Sequence, residues 1–498
     1  MLDLLSLPNE TLYRIVDYVD LGDLEHFAAY TNTVCCGCRD EDGGGRHPLC
    51  LLAEICENRQ VAWYPTSLTI KGCGCEEEEH KDEEFEEFVE DEDWEELVWY
   101  GEVYDPWRRD AVNVRRNMED CAQEVQKLVY GSDYFDENGN ERWYNHIRRG
   151  NRGAALGLLL TLLPHLETLT FHVYTWNAPQ FKKVVQRITE PYGRSSSETR
   201  KEGGKVLTKL REVKLHGSVP AAHEDVFEDF DLARHFAKLP SVKRIHAVPA
   251  KNSSRLSNNP WVKVGSRTSN IDDISIGHGR MKATYMTEYS GSLKALWKFH
   301  YDYSPCESHN GLDRNGVSLI VESLLKHANT SLETLTLKAS YCSPLQGSTA
   351  IPLSIHPFEK LKEASLSCHL YAPVFQKDKA GPLVPAPDET KSLDIASGSS
   401  GFEASKTFEV PKLVDILPGS IEVIEFWRQV AMEHVEALLQ GLTEHKADRL
   451  PHLKKIIFYK AANTVSAVAE EMGETLQEEC SEIGIRLVLG DDSRRNGY

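Results

Sequence analysis

The stretch Leu163-Pro164-His165-Leu166-Glu167-Thr168-Leu169-Thr170-Phe171 sets apolar side chains at 166, 169 and 171, with a Pro-containing turn before them. Alternation over 169–171 is the period of a strand with one buried face. The same apolar-x-x-apolar-x-apolar spacing recurs at Leu210-Val213-Leu215, Val242-Ile245-Ala247, Ile271-Ile274-Ile276, Leu332-Leu335-Leu337, Leu361-Ala364-Leu366, Ile421-Ile424-Phe426 and Leu453-Ile456-Phe458. An earlier copy closes on Leu68-Thr69-Ile70, and a looser one reads Leu293-x-x-Leu296. Helical apolar stripes precede several of them, at 154–163, 232–239, 317–327 and 435–445. Successive first anchors lie 32 residues apart from Leu210 to Val242 and from Ile421 to Leu453, and 29 apart from Val242 to Ile271 and from Leu332 to Leu361.

A helix followed by a strand at a period near 30 residues is the pattern of a leucine-rich-repeat solenoid, whose strands build one parallel sheet. The Asn or Cys ladder position of ordinary repeats is mostly absent, and the region resembles the degenerate repeats of fungal F-box proteins, as does the run from Trp143 to Phe171. A doubly wound α/β domain also alternates helix and strand, but has no reason to repeat one internal spacing. The expected fold class is therefore α/β: a short N-terminal helical module, then an irregular leucine-rich-repeat-like solenoid with a parallel sheet. Longer intervals mark insertions. Residues 191–205 are rich in Ser, Gly and charge, and 372–411 contain Pro373, Pro382, Pro385, Pro387 and a Ser-Gly run, read as a flexible surface loop. The expected layout is 1–34 helical module, possible to extend to about 60; 35–50 Cys/Gly-rich loop; 51–75 first repeat-like unit; 76–96 acidic insertion; 97–163 helical connection; 164–490 repeats.

At the N-terminal end, Pro8 suits a first helical turn, and Leu12, Ile15, Val16 and Val19 form one helical stripe. Asp20 and Asp23 precede a second stripe of Leu24, Phe27 and Ala28. The run Leu7-Pro8-x-Glu10-x-Leu12-x-x-Ile15-x-x-x-Val19-x-Leu21-x-x-Leu24 resembles the first two-thirds of an F-box, the module that docks substrate receptors on the Skp-type adaptor of cullin-RING ubiquitin ligases. The resemblance implies that Leu7, Pro8, Leu12, Ile15, Val19 and Leu24 meet that adaptor, and through it a cullin. The alternative is that this stripe packs against the rest of the chain. After Thr33 the pattern departs from the family: Cys35 to Arg46 is Cys- and Gly-rich, so a third helix starts late, near Leu49, or is altered.

The chain has 498 residues, 41% hydrophobic and 9% aromatic, enough for a large core. Its net charge of −21 comes largely from 76–96, where 15 acidic residues face a single Lys81. The overall acidic balance speaks against nucleic-acid or anionic-membrane partners, and less strongly against nucleic acid for the mildly acidic remainder. The aromatics within the acidic stretch, Phe85, Phe88 and Trp94, allow it to dock a basic partner, although a solvated insertion is the simpler reading. No apolar run reaches bilayer length, and Asp3 and Pro8 interrupt what a signal peptide needs, so the expected location is the cytoplasm, the nucleus or both.

Of 12 Cys, seven precede residue 76. Cys35-x-x-Cys38 with His47-x-x-Cys50 supplies two ligand pairs for tetrahedral zinc; the competing and favoured expectation is unliganded thiols and no cofactor. Phosphate-binding, metalloprotease and nucleophile-elbow motifs are absent from the sequence, and no catalytic residues are expected. The expected function is the substrate-recognition subunit of a Skp-cullin-F-box ligase, its repeats binding an unknown protein target. The alternatives are a scaffold whose F-box acts without degradation, and a zinc-stabilised interaction protein.

Overall fold

Apolar side chains two apart in an extended chain point to one side, so each triplet puts its second and third anchors under the same sheet face. In the computed structural model the described residues are 32–35, 48–71, 121–132, 134, 140–148, 151–173, 179–193, 206–217, 228–229, 231–248, 250–251, 269–279, 283–303, 314–339, 354–367, 410–427, 432–460 and 467–491. The chain divides into two compact units, 1–301 and 302–498.

In the first unit the strands of the main sheet are β1 (Asn32–Cys35), β2 (Ser67–Lys71), β3 (Thr168–Val173), β4 (Glu212–Gly217), β5 (Arg244–Val248), β6 (Asp273–Gly279) and β7 (Lys298–Tyr303), whose last two residues fall past the boundary; the short segments Glu228–Asp229 and Ala250–Lys251 pair separately. They lie side by side in chain order, and the pairings from β1 to β6 are parallel. A doubly wound sheet would reverse its order at a switch point; this one does not. Leu68, Leu169, Val213, Ile245 and Ile274 form one register row and Ile70, Phe171, Leu215, Ala247 and Ile276 the next, all buried.

The first anchor of each triplet sits in the turn before the strand, also buried. There one carbonyl accepts two successive N–H groups of the next repeat. Glu167 O takes Arg211 N (2.8 Å) and Glu212 N (3.1 Å), Arg211 O takes Lys243 N (2.8 Å) and Arg244 N (3.0 Å), and Lys243 O takes Asp272 N (2.9 Å) and Asp273 N (3.2 Å). Serine hydroxyls do part of the work of the missing Asn ladder: Ser241 Oγ donates to Leu207 O (3.0 Å) and Ser269 Oγ to Ala237 O (2.8 Å), each tying a turn to the preceding repeat.

The helices of this unit are α1 (Pro48–Glu57), α2 (Ala122–Tyr130), α3 (Asn140–Arg148), α4 (Arg152–Leu162), α5 (Pro179–Gly193), α6 (Asp231–Phe236) and α7 (Ala283–Ser292). Asn151 caps α4 by accepting from Ala154 N at 2.9 Å. That helix is apolar nearly all round, as a helix enclosed by others must be. Phe171 of β3 meets Phe181 of α5 edge-on at 5.5 Å and Phe236 of α6 at 6.1 Å, so the helices cover the anchor-bearing face of the sheet.

The second unit repeats the scheme with β8 (Thr334–Ala339), β9 (Glu363–Ser367), β10 (Val423–Trp427), β11 (Lys455–Lys460) and β12 (Arg486–Asp491), all parallel and in chain order. Its helices are α8 (Arg314–Ala328), α9 (Leu413–Ile416), α10 (Met432–Leu439), α11 (Leu442–Arg449) and α12 (Ala467–Glu482). Leu335, Ala364, Ile424, Ile456 and Leu487 share one row. In the next row Phe426 and Phe458 stack at 4.9 Å with 9° between their planes, a contact worth about 0.5–1.5 kcal/mol beyond area burial. Glu333 O, Lys362 O and Glu422 O each accept the paired N–H groups of the following repeat, and Ser420 Oγ donates to Leu361 O at 2.9 Å.

Three sequence expectations are corrected. The looser copy at Leu293 is displaced by three residues: Leu296 is the first anchor, and the buried Phe299 and Tyr301 are the second and third, aromatic where aliphatics were sought. The stripe over 435–445 is two helices, parted at Gly441, whose φ of 76° a side chain would resist. The last strand, β12, escaped the pattern because its buried turn residue, Ile485, stands two residues before Leu487 and not three, directly after exposed Gly484 at φ 76°. Near Leu49 the chain forms α1, with the strand β1 ahead of it. The expected insertion at 76–96 and all but the last two residues of that at 372–411 lie outside the described residues, as do 194–205.

Candidate interaction surface

The six residues expected to meet an adaptor, Leu7, Pro8, Leu12, Ile15, Val19 and Leu24, lie outside the described residues. So do Cys38 and His47 of the zinc candidates, while Cys35 is placed on β1 and Cys50 is a half-buried thiol on α1, in no disulfide among the described residues. Among the described residues no group of His, Cys, Asp and Glu is arranged to hold a metal. Burial, reinforced by the neighbouring Cys121, pushes the Cys56 thiol up to about 12, which suits a core residue better than a thiolate ligand.

The positions between anchors build the opposite face of each sheet, on which no helix among the described residues packs. In the second unit Trp427 and Tyr459 follow the stacked Phe426 and Phe458 by one residue and therefore stand on that open face. Their rings lie 5.0 Å apart, tilted by 31°. Lys338 Nζ sits 3.4 Å from the centroid of the Trp427 ring, a cation on the electron-rich face. A hydrogen-bonded chain runs beneath: Trp427 Nε1 donates to Ser365 Oγ, Ser365 Oγ donates to Glu425 Oε2 at 2.8 Å, and Tyr459 OH donates to Glu425 Oε1. The Glu425 carboxylate is thus held by two hydroxyl donors beside the two aromatic rings, all of these residues half-buried. Half-buried Ile457 and Val488 continue the surface beside Glu425 in register.

The first unit presents a charged counterpart on its own open face. Glu212 Oε2 lies 3.2 Å from Lys214 Nζ, and Glu212 Oε1 lies 3.3 Å from His246 Nε2 and 3.8 Å from Arg244 Nη1. Burial holds the His246 imidazole below its ordinary range and outweighs the opposing pull of Asp273 and Glu212. At the turns, exposed Trp63 tilts against His165 at 5.1 Å, and His165 Nδ1 lies 2.6 Å from Lys209 Nζ.

None of these open-face residues was singled out in the sequence. The available signal was positional, since the x between second and third anchors must face away from the core. Glu425, between Ile424 and Phe426, and Lys214, between Val213 and Leu215, are such positions.

No family model matches this chain, and no curated protein does. Among solved structures, one of a TLR13–ssRNA13 complex is 12% identical over 68% of this chain and 37% of that one, with a TM-score of 0.28. The chain thus spans little more than a third of that neighbour's length, and a likeness at this level carries no weight for fold or function.

Proposed function

We propose that this chain is a protein-binding scaffold of the substrate-receptor type. The open sheet face holds a protein target, and the F-box-like residues Leu7, Pro8, Leu12, Ile15, Val19 and Leu24 dock on a Skp-type adaptor and through it a cullin. The observation that carries the binding role is the open face of the second unit, where aromatic, aliphatic and charged side chains from successive strands form one half-buried surface. The docking role is carried by the sequence from Leu7 to Leu24. Ubiquitin transfer belongs to the recruited enzyme, and the receptor contributes proximity by making the encounter of target and enzyme effectively intramolecular. Such work places the protein in the cytoplasm, the nucleus or both. The test is copurification with the tagged full-length chain. Adaptor and cullin are expected together, and Leu12→Asp with Ile15→Asp should remove both without changing thermal unfolding. Adaptor without cullin would favour a scaffold that acts without degradation, and retained adaptor binding by the double variant would refute the assigned docking residues.

A further inference from the structure

Resting on the scaffold reading, the geometry points to a specific partner chemistry: the Trp427–Tyr459–Glu425 cluster receives a lysine or arginine side chain from the target. The Trp427 and Tyr459 rings lie against each other at 5.0 Å, and the Glu425 carboxylate beside them is oriented by Ser365 and Tyr459. A carboxylate set beside aromatic rings attracts a cation twice over, by charge and by ring quadrupole. The chain already demonstrates the preference, because its own Lys338 ammonium lies 3.4 Å above the Trp427 ring and fills the position a partner's cation would take. The Glu425 charge favours a basic segment over an acidic one. Lys338 thus acts as an internal stand-in, which a partner's side chain displaces onto neighbouring solvent.

The probes are fluorescein-labelled short peptides with a central lysine, arginine or glutamate between leucines, titrated against the full-length protein at fixed salt. Lysine and arginine peptides should bind more tightly than the glutamate peptide. Glu425→Gln, which keeps an oxygen acceptor and loses the charge, should weaken the lysine peptide about three- to tenfold. Lys338→Met should strengthen it by a similar factor, a gain that general loss of structure could not produce; thermal unfolding checks that both variants fold. Background binding to the acidic residues 76–96 is common to all variants and cancels in the comparison. Tighter binding of the glutamate peptide, equal affinity of the wild type and Glu425→Gln, or no gain from Lys338→Met would overturn the assignment. If the peptides fail while a copurifying target is still lost in Trp427→Ala, the cation specificity is wrong and the scaffold reading stands.

Discussion

Val248 occupies the space that a side chain at Gly277 would need. A Cβ at Gly277 would stand 2.7 Å from Val248 Cγ2 and 3.2 Å from Val248 Cγ1, one step beyond the paired Ala247 and Ile276. Valine is stiff at χ1 and cannot swing aside cheaply. Gly277→Ala should therefore lower stability by about 1–3 kcal/mol through overpacking. Adding Val248→Ala should restore part of the loss, and urea midpoints of the two variants check this non-additivity.

Ser269 tests the serine ties between repeats. Its hydroxyl is buried, donates to Ala237 O at 2.8 Å and accepts from Ile271 N at 3.4 Å. Ser269→Ala should cost about 1–3 kcal/mol, because a buried carbonyl loses its side-chain donor where water cannot replace it. Ser241→Ala, at a half-buried turn, should cost less, and chemical denaturation of the two variants ranks them.

The depressed affinity of His246 for protons makes a signed prediction. Its folded-state value lies below the unfolded one, so the unfolded chain binds the extra proton first as pH falls. The stability due to neutral His246 is fully present above about pH 6.5 and is lost on acidification through the lower folded-state value. The groups facing it divide, with Glu212 and Asp273 favouring protonation and Lys214 and Lys298 opposing it, while burial decides. His246→Gln should flatten the fall in stability between about pH 7 and pH 5 relative to the wild type. A slope unchanged by the substitution would contradict this.

Thiol reactivity should follow burial. Burial pushes Cys56 up to about 12 and Cys480 up to about 11, so neither offers much thiolate near neutrality. Iodoacetamide should label half-buried Cys50 before Cys56 and Cys480, which it reaches only on unfolding, as read by mass spectrometry of peptides from native and urea-treated protein.

The repeats were legible wherever their anchors were aliphatic and evenly spaced. Leu166-Leu169-Phe171 and Leu332-Leu335-Leu337 became strands as read. The reading slipped by three at Leu293, where Phe299 and Tyr301 fill aliphatic positions, and missed β12, where the first anchor, Ile485, stands one residue closer to the strand after a left-handed glycine. Both failures arise because the packing asks for volume and backbone geometry, which more than one residue type satisfies. The serine ties were illegible, since a serine before an anchor looks like any turn residue until its acceptor in the preceding repeat is known.

The sequence by itself determined the unit of construction, because the spacing of apolar side chains within a strand and its turn is a local requirement that every repeat meets separately. Only the tertiary structure decided which intervening residues become neighbours. Lys338, Trp427 and Tyr459 come from different repeats, and β9 pairs with β10 even though residues 368–409 intervene. Their meeting depends on the register of parallel strands, which hydrogen bonding and the buried rows set jointly across repeats and no single repeat encodes.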